Sequence, residues 1–142
     1  MIGRGRKGLS SKLHLALSTG GIQSACLSEG QRVDMQIFPK LWEIGEWSEI
    51  QYIIADKGYD YSAVRTPIKK AGKIPVIPRR ANAICPGLQD IYKPYYHTRS
   101  AIERFFGRIK ENKRLALRFD KLTHTFFSFI ALAAIKSLGL IC

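Results

Sequence analysis

Strands and helices alternate along this 142-residue chain, which puts it in the mixed α/β class. Three observations carry that assignment. Leu13, Leu15 and Leu17 alternate with Lys12, His14 and Ala16, the period-two pattern of a strand with one buried face. Tyr52-Ile53-Ile54-Ala55 and Ile74-Pro75-Val76-Ile77 are short apolar runs separated by a stretch of helical spacing. From about residue 96 onward the apolar residues recur at helical spacing only.

Taken in order, residues 1–11 are Gly, Arg, Lys and Ser and read as a basic, flexible arm, leaving 12–140 as the folded part of a single domain. After the first strand, Ser18-Thr19-Gly20-Gly21 is a turn, and residues 22–28 read as the returning strand. His14 reads as a solvent-facing strand residue rather than a ligand. Glu29-Gly30-Gln31-Arg32-Val33-Asp34 breaks the pattern, and Asp34 is placed to cap a helix carrying Ile37, Phe38, Leu41 and Trp42. Pro39 argues for a later start to that helix. The run at 52–55 suits a central strand buried on both faces, and it ends on Asp56. Open α/β sheets place their ligands at the carboxyl ends of strands. The competing reading of Asp56 is a turn residue before glycine.

Asp60 reads as the cap of the next helix, residues 61–71, which has Val64 and Ile68 at helical spacing and stops at Gly72. Pro67 works against its first turn. Pro75 favours an edge or strand end for residues 74–77. Arg79 and Arg80 follow, at the same sheet edge as Asp56 if the two strands are parallel. They suit phosphate contacts or a solvated loop about equally. Residues 81–94, with Pro86, Gly87 and Pro94, read as a loop, followed by a helix running to about Arg118. A last helix over 123–138 is apolar nearly all round and is expected to pack on a core or a partner. There is no internal repeat.

The helix after the loop carries the chemistry. Tyr96, Arg99, Glu103 and Lys110 are spaced by three, four and seven positions, which returns them to within roughly a 60° wedge of one helix face. Ile102, Phe105, Phe106 and Ile109 form an apolar stripe beside them. A carboxylate at the rim of a buried stripe, flanked by cations, suits metal-assisted phosphodiester chemistry. The bland alternatives are a capping box, Ser100-Ala-Ile-Glu103, and a surface ion pair between Arg99 and Glu103.

Composition narrows the class. Lys and Arg number 23 against 11 Asp and Glu, for a net charge of +12, which points to a polyanionic partner such as nucleic acid. The excess concentrates at Arg4, Arg6, Lys7 and Lys12 and again over residues 99–121, Arg108 included. Cys26, Cys85 and Cys142 are odd in number and far apart, and His14, His97 and His124 do not cluster, so neither a disulfide framework nor a zinc site is expected. The basic N-terminus has no apolar run after it, unlike a secretory signal. Lys136 interrupts the short apolar C-terminal run, which reads as a core helix rather than a membrane span.

The order Tyr96, two residues, Arg99, three residues, Glu103, six residues, Lys110 resembles the signature of bacterial insertion-sequence DDE transposases, whose catalytic domain is ribonuclease-H-like. Ala55-Asp56-Lys57-Gly58-Tyr59-Asp60 is similar to the segment that carries their second catalytic Asp. Gly30, Gln31 and Asp34 also match a Gly-Gln and following Asp common in them. The resemblance covers nearly the whole chain from about Gly3. It implies an α/β fold with an incomplete ribonuclease-H-like mixed sheet flanked by helices, entered at its second strand, without the first strand and its catalytic Asp. Asp56 and Glu103 would then be the catalytic acids and ligands of Mg²⁺, with Mn²⁺ as an alternative, in a two-metal site. Tyr96, Arg99, Lys110, Arg79, Arg80 and Arg108 would contact DNA. Implied partners are double-stranded DNA at element ends and target, and either a second copy or an upstream transposase half. The implied location is the bacterial cytoplasm, at the nucleoid. Without the first Asp, the chain is expected to be inactive alone, as half of a split transposase or a truncated copy. Two alternatives remain: a non-catalytic basic DNA-binding remnant, and a metal nuclease using Glu111-Asn112-Lys113, a motif that needs a strand where a helix is expected.

Overall fold

A computed structural model describes residues 3–5, 8–111 and 123–137. Expectations for Arg6 and Lys7, for Asn112-Lys113 and the helix as far as Arg118, and for residues 138–142 fall outside the described residues. The chain is mixed α/β and divides into two compact units, Met1–Arg99 and Ser100–Cys142.

The first unit opens with an antiparallel sheet in the order β1 (Gly3–Gly5), β2 (Gly8–Ser18), β3 (Gly21–Glu29). The arm expected over 1–11 is therefore replaced, where described, by β1 and the start of β2. Their glycine-rich backbones pair at Gly3↔Ser10 and Gly5↔Gly8, and a charged, glycine-rich segment is tolerated at a sheet edge. The β2–β3 hairpin pairs Leu13↔Leu27 and Leu15↔Ala25, with one register slip at Ala16/Leu17. His14 reverses its expectation. It is 4% exposed, because the face of β2 bearing Lys12 and His14 is the one that meets the helix after β3.

That helix, α1, spans Asp34–Ile44. Asp34 is its first residue rather than its cap; Val33 holds the cap position without a side-chain bond, and the Asp34 carboxylate instead pairs with Lys12 and lies 3.6 Å from His14 Nδ1. Pro39 sits inside the helix, so a later start is not needed. A proline there costs about 3 kcal/mol. Burial of Ile37, Phe38 and Leu41, at about 1.5–3 kcal/mol each, outweighs it. Ile37 and Leu41 pack with Cys26 of β3, while Phe38 packs with Val64, Ile68 and Ile77. Adjacent positions on one helix thus join the hairpin to the next motif.

That motif is a parallel β–α–β unit: β4 (Tyr52–Ile54), α2 (Ser62–Lys70) and β5 (Ile74–Val76), with Ile54 opposite Val76. β4 is half-buried rather than buried on both faces, and β5 is its strand partner among the described residues. Ile53 and Ala55 pack on the Phe38 core, whereas Tyr52 stacks on Tyr95 at 4.4 Å. α2 keeps Pro67 in its interior and ends in a Schellman motif. The Lys73 amide donates to the Ile68 carbonyl (3.1 Å) and the Gly72 amide to Lys69 (2.9 Å), with Gly72 at φ 71°. Arg79 and Gly87 then exchange backbone bonds of 2.7 and 3.1 Å, closing a loop that leads to α3 (Lys93–His97).

The second unit holds α4 (Ser100–Lys110) and α5 (Thr123–Ser137), which pack together. Phe105 and Ile109 are buried one turn apart on α4, and Ile130 and Ala134 likewise on α5. The expected single helix from Tyr96 is interrupted. Thr98 Oγ1 and the Thr98 amide both donate to the Tyr95 carbonyl (2.7 and 3.1 Å), and the Arg99 amide donates to Tyr96 (3.0 Å). These tight three-residue bonds end α3. Among the described residues no helix is long and apolar enough to cross a membrane, and Cys26 and Cys85 are free thiols.

Candidate functional site

Asp56 follows β4 after one residue, Ala55. The ladder runs one residue past the strand, the Ala55 amide donating to Val76 (3.4 Å), so the acid projects from a fixed strand end. A short 3-10 turn, Lys57–Tyr59, then folds back over it, and the Gly58 amide donates to Asp56 Oδ1 at 2.8 Å. Ala55 and Tyr59 on either side pack on the Phe38 core, which anchors the turn at both ends. The Asp56 residue itself is exposed. The Gly58 bond uses Oδ1, and carboxylate oxygen is the hard donor that suits Mg²⁺ or Mn²⁺. Tyr59 stays a neutral phenol: burial first, then the negative charges of Asp34 and Asp56, push its pKa far up.

β4 and β5 are parallel, so Arg79 and Arg80 lie past the same sheet end as Asp56. Both are organised around Asp60. Asp60 does not cap α2; Tyr61 holds that position without a side-chain bond. Instead the Asp60 carboxylate, 8% exposed, accepts from Arg65 Nε (2.7 Å) and from the Arg80 amide (2.8 Å), with Arg79 Nε at 3.8 Å. Burial alone would raise its pKa. The Arg80 amide and the Arg65 guanidinium outweigh it and hold the carboxyl below its usual range. Arg80 lies over the Tyr61 ring at 3.9 Å. Sequence reading missed Arg65 and the role of Asp60. The only signal was an acid and an arginine at a spacing of five, which has no helical meaning on its own.

The four signature residues do not share one helix. Tyr96 is in α3, and Arg99 follows it with its guanidinium 5.8 Å from the Tyr96 ring. Glu103, Arg108 and Lys110 are exposed on α4, in the second unit. Glu103 and Lys110, seven positions apart, share a face of α4. The Ser100 hydroxyl accepts from Arg104 Nη1 at 2.6 Å. Among the described residues no group of three His, Cys, Asp or Glu side chains could hold a metal ion.

Ser28, His14 and Asp34 have the letters of a nucleophilic triad. His14 Nε2 and Ser28 Oγ are hydrogen-bonded at 2.8 Å, the direction set by the imidazole tautomer, and Asp34 stands 3.6 Å from Nδ1. Ser28 is 1% exposed, so no substrate carbonyl reaches it, and its one hydroxyl proton goes to the Glu29 carbonyl, which leaves His14 Nε2 as the donor to Oγ. This cluster ties β2, β3 and α1 together.

The family model described as a transposase DDE domain matches residues 2–136. A protein of Brucella ovis, named as a transposase for insertion sequence element IS6501, is 32% identical over 88 residues. That match covers 59% of this chain and 64% of the relative, so it spans less than two thirds of the relative's length. No solved structure matches.

Proposed function

This chain belongs to the family of transposase DDE domains, and we propose that it serves DNA transposition by metal-dependent cleavage and strand transfer at the ends of a mobile element. The observation that carries the reading is Asp56: an exposed acid at the carboxyl end of a parallel strand, with Arg79 and Arg80 past the same sheet end. The described strands form an antiparallel sheet and a separate parallel pair rather than the one mixed sheet expected; the succession of hairpin, helix and parallel β–α–β unit is what supports a ribonuclease-H-like arrangement.

In this proposal Asp56 and Glu103 are the carboxylates that hold Mg²⁺, with Mn²⁺ as the alternative ion. The bound ion would supply activation of a water or 3′-hydroxyl and stabilisation of the leaving oxygen. Arg79, Arg80, Arg99, Arg108 and Lys110 hold DNA phosphates as charged donors. Tyr96 hydrogen-bonds a phosphate or stacks near a strand end. β1 pairs only with the first residues of β2, and β4 only with β5, among the described residues. Open edges of this kind support strand addition from a second copy or an upstream transposase half. The site of action would be bacterial DNA in the cytoplasm, at the nucleoid.

The test is Mg²⁺-dependent cleavage of linear DNA carrying the element's ends, run with the chain alone and with an added upstream strand ending in Asp. Cleavage that disappears in Asp56→Ala and in Glu103→Ala supports the assignment; cleavage that survives either substitution overturns it. The second reading is a DNA-binding protein without chemistry, which the net charge of +12 alone would also suit. DNA binding with no cleavage in either arm would select it.

A further inference from the structure

A groove of about 670 Å³ lies between α2, β5 and the loop closed by the Arg79–Gly87 bridge. Asp56 is not part of it. Its cations are Arg65, Lys69, Lys73 and Arg79, and no Asp or Glu among the described residues lines it. Local structure brings them together. Arg65 and Lys69 are one turn apart on α2, and the left-handed Gly72 ends the helix so that Lys73 follows directly. Two of the cations are held in place: Arg65 by Asp60 and by the Ile77 carbonyl (2.6 Å), and Lys73 by the Ile50 carbonyl (2.7 Å). The segment after Gly87 supplies Leu88 and Tyr92.

The volume is in the small-ligand range of about 300–1,000 Å³, which excludes a duplex and admits roughly a nucleotide or two of one strand. Cations from α2 and from either side of β5, two of them held in place, with an aromatic ring from a later segment suit a single strand, which has phosphates along one side and bases along the other. We infer that this groove binds a single strand of DNA, with phosphates on Arg65, Lys69, Lys73 and Arg79 and a base stacked on Tyr92. The inference rests on the DNA-processing reading above and adds the strand state and its place on the chain.

The experiment measures binding of a labelled oligothymidine and a labelled duplex, with unlabelled oligothymidine and inorganic tripolyphosphate as competitors. Tyr92→Ala should weaken oligothymidine binding at least about fivefold and leave duplex binding unchanged. Lys69→Ala should lower the salt-dependence slope for the oligothymidine by about 0.7, the loss of one single-strand phosphate contact, and Lys69→Arg should restore it. Lys69 is exposed, so this pair of variants probes the groove even if Tyr92→Ala fails to fold. Equal losses for both DNAs would reduce the groove to a general basic surface and overturn the inference. Displacement by tripolyphosphate as effective as by oligothymidine would make it a free-phosphate site and would overturn the inference too. Unchanged oligothymidine binding in the variants of a chain that binds duplex would refute the groove and leave the DNA reading standing. A wild-type chain that binds neither DNA would refute both.

Discussion

Gly58 matters to Asp56 through what it lacks. A Cβ there would lie 2.8 Å from Asp56 Oδ1, the same oxygen that the Gly58 amide holds. Its φ is not among the positive ones, so alanine strains no backbone and acts on the carboxylate alone. Gly58→Ala should therefore leave thermal stability nearly unchanged and lower metal-dependent cleavage by about 10²-fold, the cost of misplacing a reacting group by an ångström. Cleavage at the wild-type rate would show that this contact does not position Asp56. His14 illustrates the opposite case, a titratable group used for packing. Burial lowers its pKa; Asp34 pulls it up in part, and Lys12 adds to the lowering. As pH falls through the ordinary value of 6.5, the unfolded chain takes up a proton that the folded chain resists. Stability should decline through that range and level off once folded His14 is also protonated. Urea denaturation across the range checks this, and His14→Gln should remove the step.

At the scale of elements, α2 and the segment after β5 are fastened by Asp60. Removing a nearly buried acid strands the Arg65 guanidinium and the Arg80 amide, so Asp60→Ala should cost about 2–4 kcal/mol by chemical denaturation. Because its folded pKa is lowered, the contribution is complete above the unfolded value of 3.8 and is lost as pH falls through the folded value. A variant that loses the same stability well below that range would contradict the pairing. The end of α2 offers a cleaner backbone test. Gly72 has φ 71° and nothing within 4 Å of an added Cβ, so Gly72→Ala meets no clash. Its expected cost of about 1 kcal/mol comes from the left-handed conformation alone. A larger loss would mean that the Schellman turn carries contacts beyond its own bonds.

For the molecule as a whole the dominant quantity is its charge of +12. Duplex DNA should bind weakly, with little sequence preference, and the logarithm of affinity should fall linearly with the logarithm of salt concentration, because each phosphate contact releases counterions. Affinity that is flat in salt would show that the charge is not used on phosphates. Both units carry cations, among them Arg65, Lys69, Lys73, Arg79, Arg80 and Arg99 in the first and Arg104, Arg108 and Lys110 in the second. The first unit has a buried cluster around Phe38 and Ile68, and in the second Phe105, Ile109, Ile130 and Ala134 are buried.

Local periodicity determined the mixed α/β class, the hairpin, α2 with Val64 and Ile68 inward, the apolar run that leads to Asp56, and the apolar last helix. Each is a property of neighbours in sequence: alternation makes two faces of a strand, and helical spacing makes a stripe. Family membership was equally legible, since it rests on residue types at fixed separations. Which face of β2 is covered was not. Alternation is symmetric between the leucines and the Lys12–His14 side, and only the docking of α1, with Asp34 reaching Lys12 and His14, chose between them. Asp60 looked like a cap because capping is local; its partners Arg65 and Arg80 come together only when β5 lies parallel to β4. The signature residues were read as one helix face because their spacing is helical, while Thr98 bonds back to Tyr95 and closes α3 before Arg99. Spacing assigns an azimuth only within an unbroken helix, and whether the helix breaks depends on which backbone groups find partners once the chain has folded.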